Sequence, residues 1–181
     1  TIGLYHAMRS EVNLADLDEA MHARAWNACY PLMLQPGEVL TFDTLTDSLS
    51  PDTSSSKTVS SYNAMAFFAP PKASQESTHL SSCTALTTET AQEILAHPLR
   101  RHSVKELEAA GFHLVAPSAI DALIVPLVAF DDRNFRLGYG GGNYDNFLPH
   151  VRKDCLVIGV AFEEQHTDAV PIEPHDIPMP S

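Results

Sequence analysis

Basic residues are scarce in this chain: 11 Lys and Arg stand against 23 Asp and Glu among 181 residues, a formal charge of −12. Nucleic acid and anionic membrane surfaces both need a basic face, so neither is expected as the main partner. A small anionic ligand stays open, because it needs only a locally positive pocket. No apolar run reaches the roughly 18 residues of a membrane span. The three cysteines, Cys29, Cys83 and Cys155, are an odd set without CxxC spacing. That argues against a zinc site or a disulfide frame and for reduced thiols in a cytoplasmic protein. Disorder is excluded too, since 44% of residues are apolar and 19% charged. The length suits one domain, 1–181, with a real core.

Thr1–Ala7 is a short apolar strand, and the chain opens inside it, so a cut or lost start is expected. A helix over Leu14–Ala25, capped by Asn13 or Asp16, leads to a second strand, Ala28–Leu34. Pro31 places that strand near an edge or an end. Strand, helix, strand at this length is a βαβ unit and implies a parallel sheet. Thr44–Ser60 holds ten Ser and Thr among 17 residues, which predicts an exposed insertion over 44–60. Ala64–Ala69 is again strand, Ser74–Thr84 polar loop, and Thr88–Leu95 and Ser103–Ala110 helices, the second closed by Gly111. The continuous apolar runs Ala122–Phe130 and Cys155–Phe162 predict two buried strands. A helix start at Asn146–Val151 and a proline-rich tail complete the pass. The fold class is α/β, a mostly parallel sheet flanked by helices with the ligand site at the carboxyl ends of its strands.

Four glycines in five positions, Gly138 to Gly142, lie between a buried strand and a helix start. Such a segment lets several backbone N–H groups face one space, and polyphosphate is its natural guest. Arg136 adds a permanent cation at the mouth, and Asp145 can hold Mg²⁺ against the phosphates. The familiar phosphate loops do not fit. No Lys-Ser or Lys-Thr follows the glycines, as a P-loop requires. A dinucleotide fingerprint from Gly138 would put its third glycine at Asn143, and from Gly140 at Asp145, although Glu163 mimics its ribose-binding acid. His166 and His175 lack any metal-spaced partner.

The segment RLGYGGGNYD, preceded by IDALIVPLVAFD and followed by VAFEEQHTDAVPIEPHD, resembles the 5-formyltetrahydrofolate cyclo-ligases, also called methenyltetrahydrofolate synthetases. In that family a vPgvAFD strand leads to RLGxGxGYYD, and an F-x-x-Q segment with a later vP and hD follows. The likeness runs through Ile120–Asp176 and more loosely through Thr1–Pro31, where LYHAMRSEV resembles the first strand and its acidic turn. It implies a Mg²⁺-dependent enzyme that spends ATP to close 5-formyltetrahydrofolate to 5,10-methenyltetrahydrofolate, releasing ADP and phosphate.

The resemblance also implies roles. Arg136, Leu137, Gly138, Tyr139, Gly140, Gly141, Gly142, Asn143 and Tyr144 would bind ATP, with Arg136 and Tyr144 catalytic. Tyr139, Gly140, Gly141, Gly142 and Asn143 would also face the folate. Glu11 stands where the family's pterin-binding glutamate stands, and a carboxylate suits the adjacent donors of that ring. Tyr5, His6, Met33, Met65 and Phe112 would complete the folate site, and Asp145 and Asp176 would hold the metal. The expected partners are the reduced folate and MgATP, without nucleic acid or membrane; oligomeric state is not legible. Three features depart from the pattern: Asn143 replaces a tyrosine, Asn146 replaces a cation, and the family's basic N-terminal helix is absent from this chain. They motivate an alternative, a non-catalytic folate- or nucleotide-binding relative; a dinucleotide-dependent oxidoreductase ranks below it.

Overall fold

The computed structural model describes residues 1–43, 56–60, 65–71, 90–173 and 176–179. In chain order the elements are β1 (Ile2–Gly3), α1 (Ala15–Ala23), β2 (Ala28–Leu34), β3 (Val39–Asp43), β4 (Ser56–Ser60), β5 (Met65–Ala69), α2 (Ala91–Ala96), β6 (Arg101–His102), α3 (Val104–Ala109), β7 (His113–Val115), β8 (Ala122–Pro126), β9 (Ala129–Phe130), β10 (Arg136–Leu137), α4 (Asn143–Phe147) and β11 (Leu156–Val160). Short 3₁₀ turns cover Pro117–Ala119, Leu148–His150 and Glu163–Gln165.

The main sheet runs β11-β8-β1-β2-β5-β7, with β6 also on β2. The β1–β2, β1–β8, β8–β11 and β2–β6 pairs are parallel; β5 joins β2 and β7 antiparallel. The sheet is therefore mixed and mostly parallel, and the expected βαβ unit is β1–α1–β2. Pro31 lies inside β2 rather than at its end. Leu4 N–H donates to the Cys29 carbonyl and Gln35 N–H to that of His102, so odd residues of β2 point toward β1 and β6. β1 pairs with β2 only as far as Cys29, and β6 begins at Met33. The missing Pro31 donor falls in the gap between them, where no ladder bond is lost.

Helices cover both faces. On one, α1 packs over Leu4, Tyr5, Ala28, Tyr30 and Ile124, while α2 and α3 cover Leu32, Leu34, Ala66, Phe68 and Phe112. On the other, Phe147 and Leu148 pack against Phe67, Leu123, Val125 and Val157. Alternation of β8 between the two clusters confirms it as a central strand, since Leu123, Ile124 and Val125 are all buried. Thr90 and Ser103 open α2 and α3 with capping boxes to Glu93 and Glu106.

Several sequence expectations are corrected. The first strand is shorter than expected: it stops at Gly3, with Leu4 N–H making the last bond to β2 and Leu4 and Tyr5 buried in the core. Within the expected 44–60 insertion, Ser56–Ser60 form β4 and pair with β3; the rest of that stretch and the Ser74–Thr84 loop lie outside the described residues. Ala122–Phe130 splits after Pro126, and β9 turns away to pair with β10. β11 is an edge strand, with Leu156 59% and Ile158 39% exposed, not a strand covered on both sides. Cys29 and Cys155 are buried free thiols. Among the described residues, no helix is long and apolar enough to cross a membrane.

Candidate active site

Three parallel neighbours, β1, β8 and β11, end side by side, and the segments leaving them build one cleft of about 290 Å³. Its walls are Ser10 and Glu11 after β1, Leu127 and Val128 after β8, Tyr139 of the glycine segment, and Phe162, Glu164 and Gln165 after β11. This is the carboxyl end of the parallel strands, where open α/β sheets form crevices.

A compact turn carries Glu11. The Glu11 N–H donates to the Met8 carbonyl (3.0 Å), and Met8 N–H donates to Glu11 Oε2 (2.7 Å). Among the described residues Oε1 has no partner, so the carboxylate reaches the cleft with one oxygen uncommitted. Tyr5 fixes the turn, its hydroxyl donating to the Val12 carbonyl at 2.8 Å. Burial and the nearby Glu11 charge push that phenol up to about 12.

The glycine segment is anchored from behind. Buried Asp131 accepts from the backbone N–H of Arg133, Phe135 and Val170 and from the Arg133 guanidinium. These bonds hold its carboxyl at about 2, the Val170 amide being the largest cause. The segment after β11 is stitched to the same region: Thr167 N–H donates to the Phe130 carbonyl and Met179 N–H to that of Asn134. Gln165 Nε2 donates to the Leu127 and Val128 carbonyls, and its Oε1 accepts from Phe162 N–H. Beyond β10 the glycines take over. Gly140 has φ +81° and Gly142 φ +59°, the latter in the left-handed cap position of α4. A Cβ added at Gly138 or Gly140 would meet nothing within 4 Å, so these backbone faces are open.

The structure brings much of the expected site together. Glu11 and Tyr139 wall one cleft. Tyr144 lies close enough to Glu11 and Arg136 to feel both charges, and the Tyr5 phenol stands near it as well. Burial raises its phenol first, Glu11 and Tyr5 raise it further, and Arg136 opposes them. Its phenol is therefore neutral. Met33 and Met65 face each other across β2 and β5, and Asn143 Nδ2 lies 4.0 Å from Met33 Sδ, seating the glycine segment on the sheet. Leu137 holds the segment through its carbonyl, which accepts from Val128 N–H.

Other placements differ from expectation. Arg136 is not at the mouth: its side chain is 5% exposed, donating to Asp145 Oδ1 at 2.8 Å and to the Ile177 carbonyl at 2.7 Å. A carboxylate and a carbonyl turn it inward. Phe112 is 1% exposed among Leu32, Leu34 and Leu107, with no surface left for a ligand. His6 stacks on Tyr30 at 4.5 Å, and burial lowers its pKa, so the ring is neutral on the α1 face. Asp176 accepts from Glu173 N–H. Its neighbour Ile177 donates to Asp145 Oδ1 at 3.4 Å, so the tail does come up to Asp145. Asp145 Oδ2 has no partner among the described residues. A carboxylate oxygen left without a protein partner is a hard ligand of the kind Mg²⁺ takes.

Sequence reasoning named neither Arg9 nor Gln165 as site residues. Gln165 closes the quoted F-x-x-Q pattern, which was its signal. Arg9 sits inside LYHAMRSEV, but nothing in the sequence says where it points.

The 5-formyltetrahydrofolate cyclo-ligase family model matches residues 56–181. The 5-formyltetrahydrofolate cyclo-ligase of Escherichia coli is 43% identical over 65 residues, 35% of this chain and 36% of that protein. That of Mycolicibacterium smegmatis is 41% identical over 59 residues, 33% and 30% of the two chains. The matched segments thus span about a third of these relatives' length. Two solved 5,10-methenyltetrahydrofolate synthetases share the fold. The Mycoplasma pneumoniae protein aligns over 98% of this chain and 68% of its own, with a TM-score of 0.56 and 18% identity. The Aquifex aeolicus protein aligns over 98% and 64%, with a TM-score of 0.54 and 20% identity.

Proposed function

The chain belongs to the 5-formyltetrahydrofolate cyclo-ligase family, and on that premise we propose that it closes 5-formyltetrahydrofolate to 5,10-methenyltetrahydrofolate at the expense of ATP. The observation that carries this reading is the meeting of two distant segments: the Glu11 turn and Tyr139 of the glycine segment wall the same cleft.

A formamide oxygen is a poor leaving group. Its attack on the terminal phosphorus of ATP, with loss of ADP, makes it a good one. The neighbouring amine nitrogen of the folate then attacks the activated carbon, and phosphate departs. Both steps ask the protein for alignment and charge neutralisation more than for acid–base chemistry. Glu11 Oε1 accepts from the pterin's amino and ring N–H donors and fixes the folate in the cleft. The open backbone around Gly138 and Gly140 receives the phosphates. Tyr144, kept protonated by burial, donates a hydrogen bond without competing for the proton of the attacking amine. Asp145 Oδ2, with Asp176 on the adjoining tail, would hold Mg²⁺, which supplies positive charge against the polyphosphate.

The reading is tested by following methenyltetrahydrofolate absorbance in mixtures of protein, 5-formyltetrahydrofolate and Mg²⁺, with and without ATP. Product is expected only with ATP. Folate binding without product would assign the chain to the non-catalytic alternative. Glu11→Gln leaves the Met8 bond possible but presents a donor to a donor. Its folate dissociation constant should rise by about five- to a hundredfold, the scale of an unpaired charged hydrogen bond; equal affinity would remove Glu11 from the site.

A further inference from the structure

Arg136 is buried, and its charge is committed to Asp145. A phosphate arriving beside the glycine segment therefore meets Glu11 and Glu164 in the cleft walls, within a chain of net charge −12. Some cation must offset this, and one stands over the same wall. Arg9 projects from the N-terminal turn with its guanidinium carbon 5.8 Å from the centroid of the Tyr139 ring. It is exposed, and among the described residues no carboxylate pairs with it. Its backbone adopts φ +54°, a left-handed conformation that a residue with a Cβ takes at a cost. The reciprocal bonds between Met8 and Glu11 enforce that conformation. One turn thus sets both Glu11 in the cleft and Arg9 above its rim.

A guanidinium lying over an aromatic ring keeps its N–H fork in plane and available, and that fork matches oxyanions. We propose that Arg9 is a phosphate-binding residue of this cleft: it meets an oxygen of the nucleotide's terminal phosphate beside Gly138–Gly142, with Tyr139 as the platform that positions it. This rests on the ligase reading given above. The folate brings the other candidate oxyanion, the carboxylates of its glutamyl tail. The contact of Arg9 with the glycine segment, rather than with the apolar Leu127 and Phe162 side of the cleft, favours the phosphate.

The experiment is calorimetric titration of a non-hydrolysable Mg·ATP analogue and, separately, of 5-formyltetrahydrofolate into wild type, Arg9→Met, Arg9→Lys and Tyr139→Leu. Arg9→Met should weaken the nucleotide about tenfold or more and flatten its salt dependence, with folate affinity kept. Arg9→Lys should recover part of the loss, and Tyr139→Leu should fall between wild type and Arg9→Met. Wild-type nucleotide affinity in Arg9→Met, or a loss confined to folate, overturns the assignment while leaving the ligase reading standing. Failure of the wild type itself to bind the nucleotide overturns both.

Discussion

Replacing Asp145 by asparagine probes a residue with two claims on it, metal ligand and partner of Arg136. If the carboxylate only held Mg²⁺, its loss would leave the fold untouched. The structure says otherwise. Arg136 has 5% of its side chain exposed, and its Nη2 lies 2.8 Å from Asp145 Oδ1. Removing one partner of a buried pair costs about 3–5 kcal/mol, because the remaining charge stays desolvated. Two features lower that figure here: Asp145 is 23% exposed, and Arg136 keeps the Ile177 carbonyl. Asparagine also retains a neutral acceptor. About 2–3 kcal/mol is the expected loss. For a chain of this size each kcal/mol moves the melting temperature about 2–4 °C, so Asp145→Asn should melt about 4–12 °C lower. Urea unfolding without Mg²⁺ or nucleotide reads this directly. The double variant Arg136→Met with Asp145→Leu should recover most of the loss, since an apolar pair has no charge to strand. A melting temperature within a degree of wild type for Asp145→Asn would refute the reasoning, and so would a double variant weaker than either single one.

Gly3→Ala places a Cβ 2.6 Å from Leu123 Cδ1 and 3.1 Å from Phe67 Cε1, so it should cost about 1–3 kcal/mol by overpacking, read as a lower urea midpoint. Gly140→Val meets no neighbour within 4 Å but must hold φ +81°; it should fold with a small loss of stability and lose nucleotide binding by titration. Burial holds His6 below its ordinary 6.5, so the unfolded chain takes up the proton first as pH falls. Its contribution is whole above 6.5 and lost as pH falls from there toward the folded value. His6→Phe should flatten that part of the stability profile, measured by urea midpoints between about pH 7 and pH 5.

What the sequence made legible follows from how local each signal was. The βαβ unit, the central strand at Leu123–Val125 and the two helices within Thr88–Leu95 and Ser103–Ala110 rest on spacing within a few residues, and all are present in outline. β11 misled because an apolar run reports composition, not what lies beside it: Val157 is buried while Leu156 and Ile158 face outward. The glycine segment announced an open backbone, and Gly140 has one. The direction of Arg136 was beyond reach, since it depends on Ile177, 41 residues away. Phe112 and His6 are of the same kind, residue types common in both cores and pockets and assigned by whichever neighbour arrives.

The bonds from the tail also set an order of events during synthesis. Thr167 grips Phe130, Val170 grips Asp131, Ile177 grips Arg136 and Met179 grips Asn134. Every one spans more than thirty residues, so the sheet's first βαβ unit can assemble while the glycine segment still lacks its anchors. The nascent chain must emerge through Met179 before the cleft takes its shape, which places that corner after the first βαβ unit in the order of assembly.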